Sequence, residues 1–250
     1  MKDNDLKLAI EVQRALLDRH IPDCNCGKIV VRNKMCSDIG GDFYYFKQIN
    51  SDQVAIAIGD VMGHGMSAAL ILSILMGKLW STEYSPTRPK TVLSQLNDML
   101  VELGDHIDYP VTSSMFMGVV DLPSGIVMFV NAGHVKPIHF DRTANQVNCL
   151  EVSNMLLGVQ KGVKDEACEQ FGSGDRLVLF TDGITEVMNL ELVQFGSKRL
   201  ADIIQRTADL EVDDVADIIF DELDRFSAGR VIDDDMTLII IDFEIEKQGR

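Results

Sequence analysis

The stretch Gln53-Val54-Ala55-Ile56-Ala57-Ile58-Gly59-Asp60-Val61-Met62-Gly63-His64-Gly65 decides how the rest of the chain is read. Gln53 to Val61 alternates apolar residues in the manner of a strand. Asp60 closes that strand, and a glycine-rich turn follows at once. The next segment, Met66 to Thr82, is long and apolar on most faces, which predicts a buried helix. A carboxylate is thus placed where a buried strand meets a turn, with glycines that let a backbone carbonyl or a ligand come close.

Working outward, Leu6, Ile10, Ala15 and Leu17 give near-helical spacing from Asp5 to about Arg19, ended by Ile21-Pro22. Lys28–Met35 and Phe43–Ile49 read as strands. Pro89 suits the first turn of a helix running to Leu103, before Gly104. Ser114–Asp121 and Ile126–Asn131 form a predicted hairpin across Leu122-Pro123-Ser124-Gly125. Lys136–Phe140, Gln146–Val152, Arg176–Phe180 and Met236–Phe243 are further predicted strands, and Ser197–Thr207 and Val212–Phe226 predicted helices. Helices interleaved with antiparallel hairpins argue an α+β layered domain over a doubly wound parallel sheet. No repeat or Pro/Ser-rich linker divides the chain.

Composition narrows the function. The 250 residues carry 46% apolar and 25% charged side chains, which is globular composition. Lys plus Arg is 23 against 39 Asp plus Glu, a net charge of −16. So acidic a body repels nucleic-acid phosphates and anionic lipid, and the sequence contains no basic stripe to offset this. No apolar run approaches the roughly 20 residues that a membrane-spanning helix needs. The polar start Met1-Lys2-Asp3-Asn4-Asp5 does not read as a signal peptide. Five scattered cysteines, with Cys24 and Cys26 lacking a second pair at zinc spacing, predict reduced thiols and a cytoplasmic protein.

Four aspartates stand where strands meet turns. Asp42 follows Ile39-Gly40-Gly41, Asp60 ends the quoted strand, Asp182 follows Leu177-Val178-Leu179-Phe180-Thr181, and Asp234 precedes the last strand. If they converge, two carboxylates about 5 Å apart repel by roughly 3 kcal/mol at an effective dielectric near 20. Either protonation or divalent cations must relieve that repulsion. An all-oxygen set favours Mg²⁺ or Mn²⁺ over zinc, and two such ions would polarise a phosphoryl group. Each Asp-Gly pair taken alone is also compatible with an ordinary turn.

Several stretches carry a resemblance: Ile39-Gly40-Gly41-Asp42-Phe43-Tyr44; Gly59 to Gly65 with Ala68-Ala69-Leu70; Asn131-Ala132-Gly133-His134; Gly174 to Gly183; Glu186, Asn189 and Phe195-Gly196; and Asp234-Asp235-Met236-Thr237. In order they resemble the metal-dependent protein phosphatase (PPM) family, in its bacterial branch of sporulation phosphatases and sigma-factor-regulator serine phosphatases. The likeness runs from about residue 9 to residue 243, and Glu11 to Leu17 resembles the helix that precedes the domain in such proteins. It implies a four-layer αββα sandwich, two packed antiparallel sheets flanked by helices, with a dinuclear Mn²⁺/Mg²⁺ site at one edge. By that likeness Asp60 bridges both ions and Val61 offers its carbonyl. Asp182 and Asp234 complete one ion's shell, and Asp42 serves the other. Water held by the ions attacks phosphoserine or phosphothreonine directly. The implied substrate is a small phosphorylated anti-anti-sigma (STAS-like) protein. The implied domains are a regulatory or linker helix over 1–20 and the phosphatase over 21–250. A regulator or a second copy would act through that helix, whose apolar stripe has no evident partner within the domain. Tyr45, Met62 and Leu156 depart from the pattern, standing where the branch usually has an Asp, a smaller residue and a Pro. The rival reading is a catalytically inactive phosphatase-like module that regulates a partner by docking.

Other chemistries find little support. Ser37, Ser113 and Ser114 lack a G-x-S-x-G context, and no P-loop occurs. His64 is a candidate proton donor to the leaving serine oxygen, or a brace for its turn. His134 reads as orienting its loop. The acidic runs Glu211–Asp217 and Asp221–Asp224 read as solvated helix faces.

Overall fold

Strand alternation becomes two buried faces in the computed structural model, which describes residues 3–17, 21–22, 27–83 and 88–245. The elements in chain order are α1 (Asp3–Leu17), β1 (Gly27–Lys34), β2 (Asp42–Gln48), β3 (Gln53–Val61), α2 (Met66–Ser81), α3 (Pro89–Ile107), β4 (Ser113–Asp121) and β5 (Ile126–Ala132). They continue with β6 (Ile138–Asp141), β7 (Gln146–Cys149), β8 (Ala167–Gln170), β9 (Arg176–Phe180), α4 (Asp182–Thr185), α5 (Gly196–Arg206), α6 (Val212–Ser227) and β10 (Met236–Phe243). One sheet has the order β1-β10-β9-β6-β7 and the other β2-β3-β4-β5-β8, and every pairing is antiparallel.

The period of two assigns each strand residue to a layer. Ile56 and Ile58 of β3 meet Phe116, Leu179, Ile239 and Ile241 between the sheets. Their neighbours Ala55 and Ala57 face the other way, under Leu72 and Leu75 of α2 and Leu93 and Leu96 of α3. On the far side Val178, Leu238 and Ile240 lie under Leu200 of α5 and Ile219 of α6. This is the expected sandwich of helices, sheet, sheet and helices. Central strands read as nearly continuous apolar runs because both of their faces are covered.

Two helix expectations change. The helix after Gly65 is not buried all round, for Leu70 and Ile74 of α2 face solvent. The α1 stripe does find a partner within the domain at its C-terminal end, where Gln13 and Leu17 are buried, while Leu8 and Val12 remain exposed. The acidic face of α6 is solvated as expected, and it also pairs with β1. Arg32 bonds Asp213 and Asp217 at 3.1 and 2.9 Å, Lys34 bonds Asp224 at 2.9 Å, and Lys28 meets Glu211. These pairs cover the edge strand β1 with charge, which discourages strand addition. Gln146–Val152 shortens to Gln146–Cys149, and β8 was not foreseen. Cys24 and Cys26 and the boundary after residue 20 lie outside the described residues. Among the described residues, no helix is long and apolar enough to cross a membrane.

Candidate active site

The start of β2, the end of β3, the end of β9 and the start of β10 lie at one end of the sandwich. Asp42 stands directly opposite Asp60 in the β2–β3 register. Gly40 and Gly41 make the approach possible. A Cβ on Gly41 would lie 2.8 Å from both Asp60 Oδ1 and the Val61 carbonyl oxygen, and one on Gly40 would collide with the Asp235 carboxylate. Two oxygens assigned to a metal by resemblance therefore face the same small gap.

Asp42 is 1% exposed. Its Oδ2 accepts hydrogen bonds from the Thr181 hydroxyl at 2.7 Å and the Thr237 hydroxyl at 2.6 Å. Burial holds its pKa well above the ordinary carboxylate range, against the pull of the two hydroxyls. The side chain ties β2 to the facing ends of β9 and β10, a bracing role that the strand-end pattern did not reveal.

Asp60 is half-buried, and its pKa is pushed up to about 7 by burial and then by the charges of Asp182, Asp234 and Asp235. Asp182 opens the single turn of α4, where its Oδ1 accepts the Gly183 N–H at 3.1 Å. Gly183 must be small, because a Cβ there would strike the Asp235 carbonyl. Asp234 is exposed. Burial raises its pKa most, the Asp235 N–H opposes this, and Asp182, Asp235 and Glu186 raise it further. The structure thus brings Asp60, Asp182 and Asp234 into mutual repulsion and sets Asp42 beside them.

Asp235 is the residue that sequence reasoning passed over. It is buried, and it accepts the Cys36 N–H at 2.8 Å and the Gly41 N–H at 3.0 Å. It holds the loop that carries Asp42. Its only signal in the sequence was adjacency to Asp234.

A cavity of about 220 Å³ opens beside Asp60 and Asp182, walled by Met62, Ser114, Gly133, His134 and Leu156. Met62 is largely exposed at its mouth, so this departure from the family pattern shapes access. Leu156 does the same from the opposite loop. Tyr45 points elsewhere and donates to the Leu79 carbonyl at 3.0 Å, away from the acids. His64 is exposed, and its carbonyl accepts the Ser67 hydroxyl at 3.5 Å. His134 is buried with Nδ1 2.8 Å from Ser114 Oγ, and its N–H donates to Asn131 Oδ1 at 2.8 Å. Burial lowers its pKa to about 4, with the Phe180 carbonyl pulling the other way. Among the described residues its Nε2 has no partner in good hydrogen-bond geometry.

The donor chemistry suits a hard divalent cation. The nearby side chains offer oxygens from carboxylates and hydroxyls beside the Val61 carbonyl, and a cation would offset both the burial and the like charges that lift Asp60. Among the described residues, however, no three His, Cys, Asp or Glu side chains close on one point as they stand.

Residues 50–244 match the family described as stage II sporulation protein E (SpoIIE). The chain is 27% identical over 184 residues to the phosphoserine phosphatase RsbU of Bacillus subtilis, covering 73% of this chain and 54% of RsbU. It spans about half the length of the curated relatives it matches. The SiaA PP2C domain of Pseudomonas aeruginosa superposes with a TM-score of 0.81 at 20% identity, covering 96% of each chain. A structure containing the PP2C phosphatase domain of SpoIIE from Bacillus subtilis gives 0.69 at 23% identity, over 89% of this chain and 64% of that one. At these identities the two structures establish the shared fold.

Proposed function

The chain belongs to the SpoIIE family, and from that premise we propose that it is a metal-dependent protein phosphatase acting on phosphoserine or phosphothreonine. The observation that carries this reading is the placement of acidic side chains whose charges repel at one end of the two sheets, Asp42 opposite Asp60 and Asp60 with Asp182 on the wall of one cavity. Mutual repulsion of that kind is tolerated where a cation is to be held. Asp60, the Val61 carbonyl, Asp182 and Asp234 would hold Mn²⁺ or Mg²⁺, with Asp42 next to them. Two bound ions would supply Lewis-acid polarisation of the phosphoryl group and a lowered pKa for attacking water.

The protein's own groups do the positioning. Asp235 and the two threonine hydroxyls fix the Asp42 loop. Met62 and Leu156 narrow the cavity over Asp60 and limit bulk water. His64, on the exposed turn after Val61, is the candidate donor to the leaving serine oxygen. The substrate we favour is a small phosphorylated protein of the anti-anti-sigma type, supported by the likeness to RsbU. Residues 1–20, of which Asp3–Leu17 is helical, would serve as a regulatory or linker segment through which a regulatory protein or a second copy acts. The exposed Leu8 and Val12 support this. Free thiols at Cys36, Cys149 and Cys168 suit a cytoplasmic setting.

The test uses the purified chain with an aryl phosphate and a phosphorylated anti-anti-sigma protein. Hydrolysis should need Mn²⁺ or Mg²⁺ and stop with EDTA. Calorimetry that finds two cation sites but no turnover would favour the docking module instead.

A further inference from the structure

A second cavity, about 100 Å³, abuts the acidic cluster on the side away from Met62. Its walls are Val187 and Met188, which follow α4, and Val231 and Ile232 in the connection from α6 to β10. Glu186 and Asp234 stand at its rim. The backbone creates this wall deliberately. Ala228 at φ 52° and Gly229 at φ 83° reverse the chain after α6, which returns Val231 and Ile232 towards α4. Val231 is left 80% exposed. A lone exposed valine is ordinary on a protein surface. One that forms the lip of an apolar cavity beside a carboxylate cluster is not explained by packing.

We infer that this cavity is a socket for one aliphatic side chain of the phosphoprotein substrate, close in sequence to the phosphorylated residue. The inference rests on the phosphatase reading above, and it adds the feature of the substrate that the site selects. The volume is that of a single side chain such as leucine, not of a helix or a strand. Val187, Met188, Val231 and Ile232 make the lining more apolar than polar, with Ser227 and Asp233 completing it, so an ionised side chain would lose hydration on entering. The carboxylates at the rim repel an acidic residue. Those carboxylates attract a basic head group at the mouth, so the lysine peptides separate attraction to the rim from burial in the socket. Because Asp234 belongs both to this rim and to the proposed ion site, a side chain seated here would sit next to the phosphoryl group.

The experiment walks one leucine through the positions flanking phosphoserine in a synthetic peptide, each version matched with Asp and Lys counterparts. Rates are measured on the whole chain with Mn²⁺, and an aryl phosphate reports basal hydrolysis. One position should favour leucine over Asp by about tenfold or more in kcat/KM, the scale of a single apolar pocket. Val231→Asp should erase that preference through KM and leave aryl phosphate hydrolysis at the wild-type rate. Met188→Gln should weaken it in the same direction. Equal use of all peptides by the wild type, a preference for lysine, or an undiminished leucine preference in Val231→Asp would overturn the socket while leaving the phosphatase intact. Absence of aryl phosphate hydrolysis by the wild type would instead remove the phosphatase reading, and the socket with it.

Discussion

The side-chain amide of Gln13 grips the backbone of Gly40 at both ends: its Nε2 donates to the Gly40 carbonyl at 2.7 Å, and its Oε1 accepts the Gly40 N–H at 3.2 Å. Gln13 is buried and lies on α1, whereas Gly40 leads through Gly41 into Asp42. The helix thus holds the loop next to the acidic cluster by a paired hydrogen bond, and any rotation of α1 must break it. Gln13→Ala strips two backbone groups of their partner in a buried place, which typically costs about 1–3 kcal/mol per group. It should raise the Mn²⁺ concentration needed for half-maximal hydrolysis several-fold and leave the saturated rate less affected. A metal titration of activity checks this. An unchanged titration would mean that α1 only packs.

Asp182 and Asp42 should separate by what their loss damages. The Asp182 carboxylate accepts one local bond among the described residues, from the Gly183 N–H, so Asp182→Asn should fold normally and lose turnover by orders of magnitude. Asp42→Ala leaves the Thr181 and Thr237 hydroxyls without their acceptor inside the sandwich. Roughly 2–4 kcal/mol of stability should go with it. Urea unfolding beside activity assays distinguishes the two. Wild-type rates in Asp182→Asn would take that residue out of the site.

How far these roles were legible follows from the physics of each position. The strand-end positions of Asp60, Asp182 and Asp234 were legible because each stands at or beside the end of an apolar strand, a one-dimensional signal. The brace on Asp42 was not, since Thr181 and Thr237 lie 139 and 195 residues away and meet it only where the two sheets pack face to face. The two central sheets were readable wherever both strand faces are covered, as in β3. Strand β8 escaped because it is a four-residue edge strand, Ala-Cys-Glu-Gln, with alternate residues exposed. The α1 stripe read as unpartnered because only its last apolar residue, Leu17, enters the core, and the other anchor is an amide, Gln13.

Cation affinity should depend steeply on pH near neutrality. Without a cation, Asp60 keeps its proton up to about pH 7, above its ordinary 3.8. The folded state therefore binds a proton that the unfolded chain has already lost across that interval, and stability falls as pH rises from about 4 to 7. A cation must displace this proton below pH 7, so its apparent affinity should drop by about tenfold per pH unit there and level off above. Calorimetry with Mn²⁺ at several pH values reads the slope directly. Thermal stabilisation by Mn²⁺ should likewise be larger at pH 8 than at pH 5. A pH-independent affinity would mean that Asp60 is not a ligand.

His134 should oppose that trend on the acid side. Burial lowers its pKa to about 4 from 6.5, so the folded state refuses a proton that the unfolded chain accepts as pH falls below 6.5. Stability from this group is complete above 6.5 and is lost as pH drops towards 4, by at most roughly 3 kcal/mol. Asp60 changes stability in the opposite sense over much of the same range, so the wild-type curve alone does not isolate the histidine. The difference between wild type and His134→Gln does, because the Asp60 contribution is common to both. Glutamine does not titrate, and its amide can still meet the Ser114 hydroxyl. The stability advantage of wild type over His134→Gln should shrink between pH 6.5 and 4 and stay constant above 6.5. Urea unfolding at intervals across that range measures it. Parallel curves would mean that the ring is protonated in the folded protein as readily as in the unfolded chain, and that the wall of the cavity beside Asp60 is open to water.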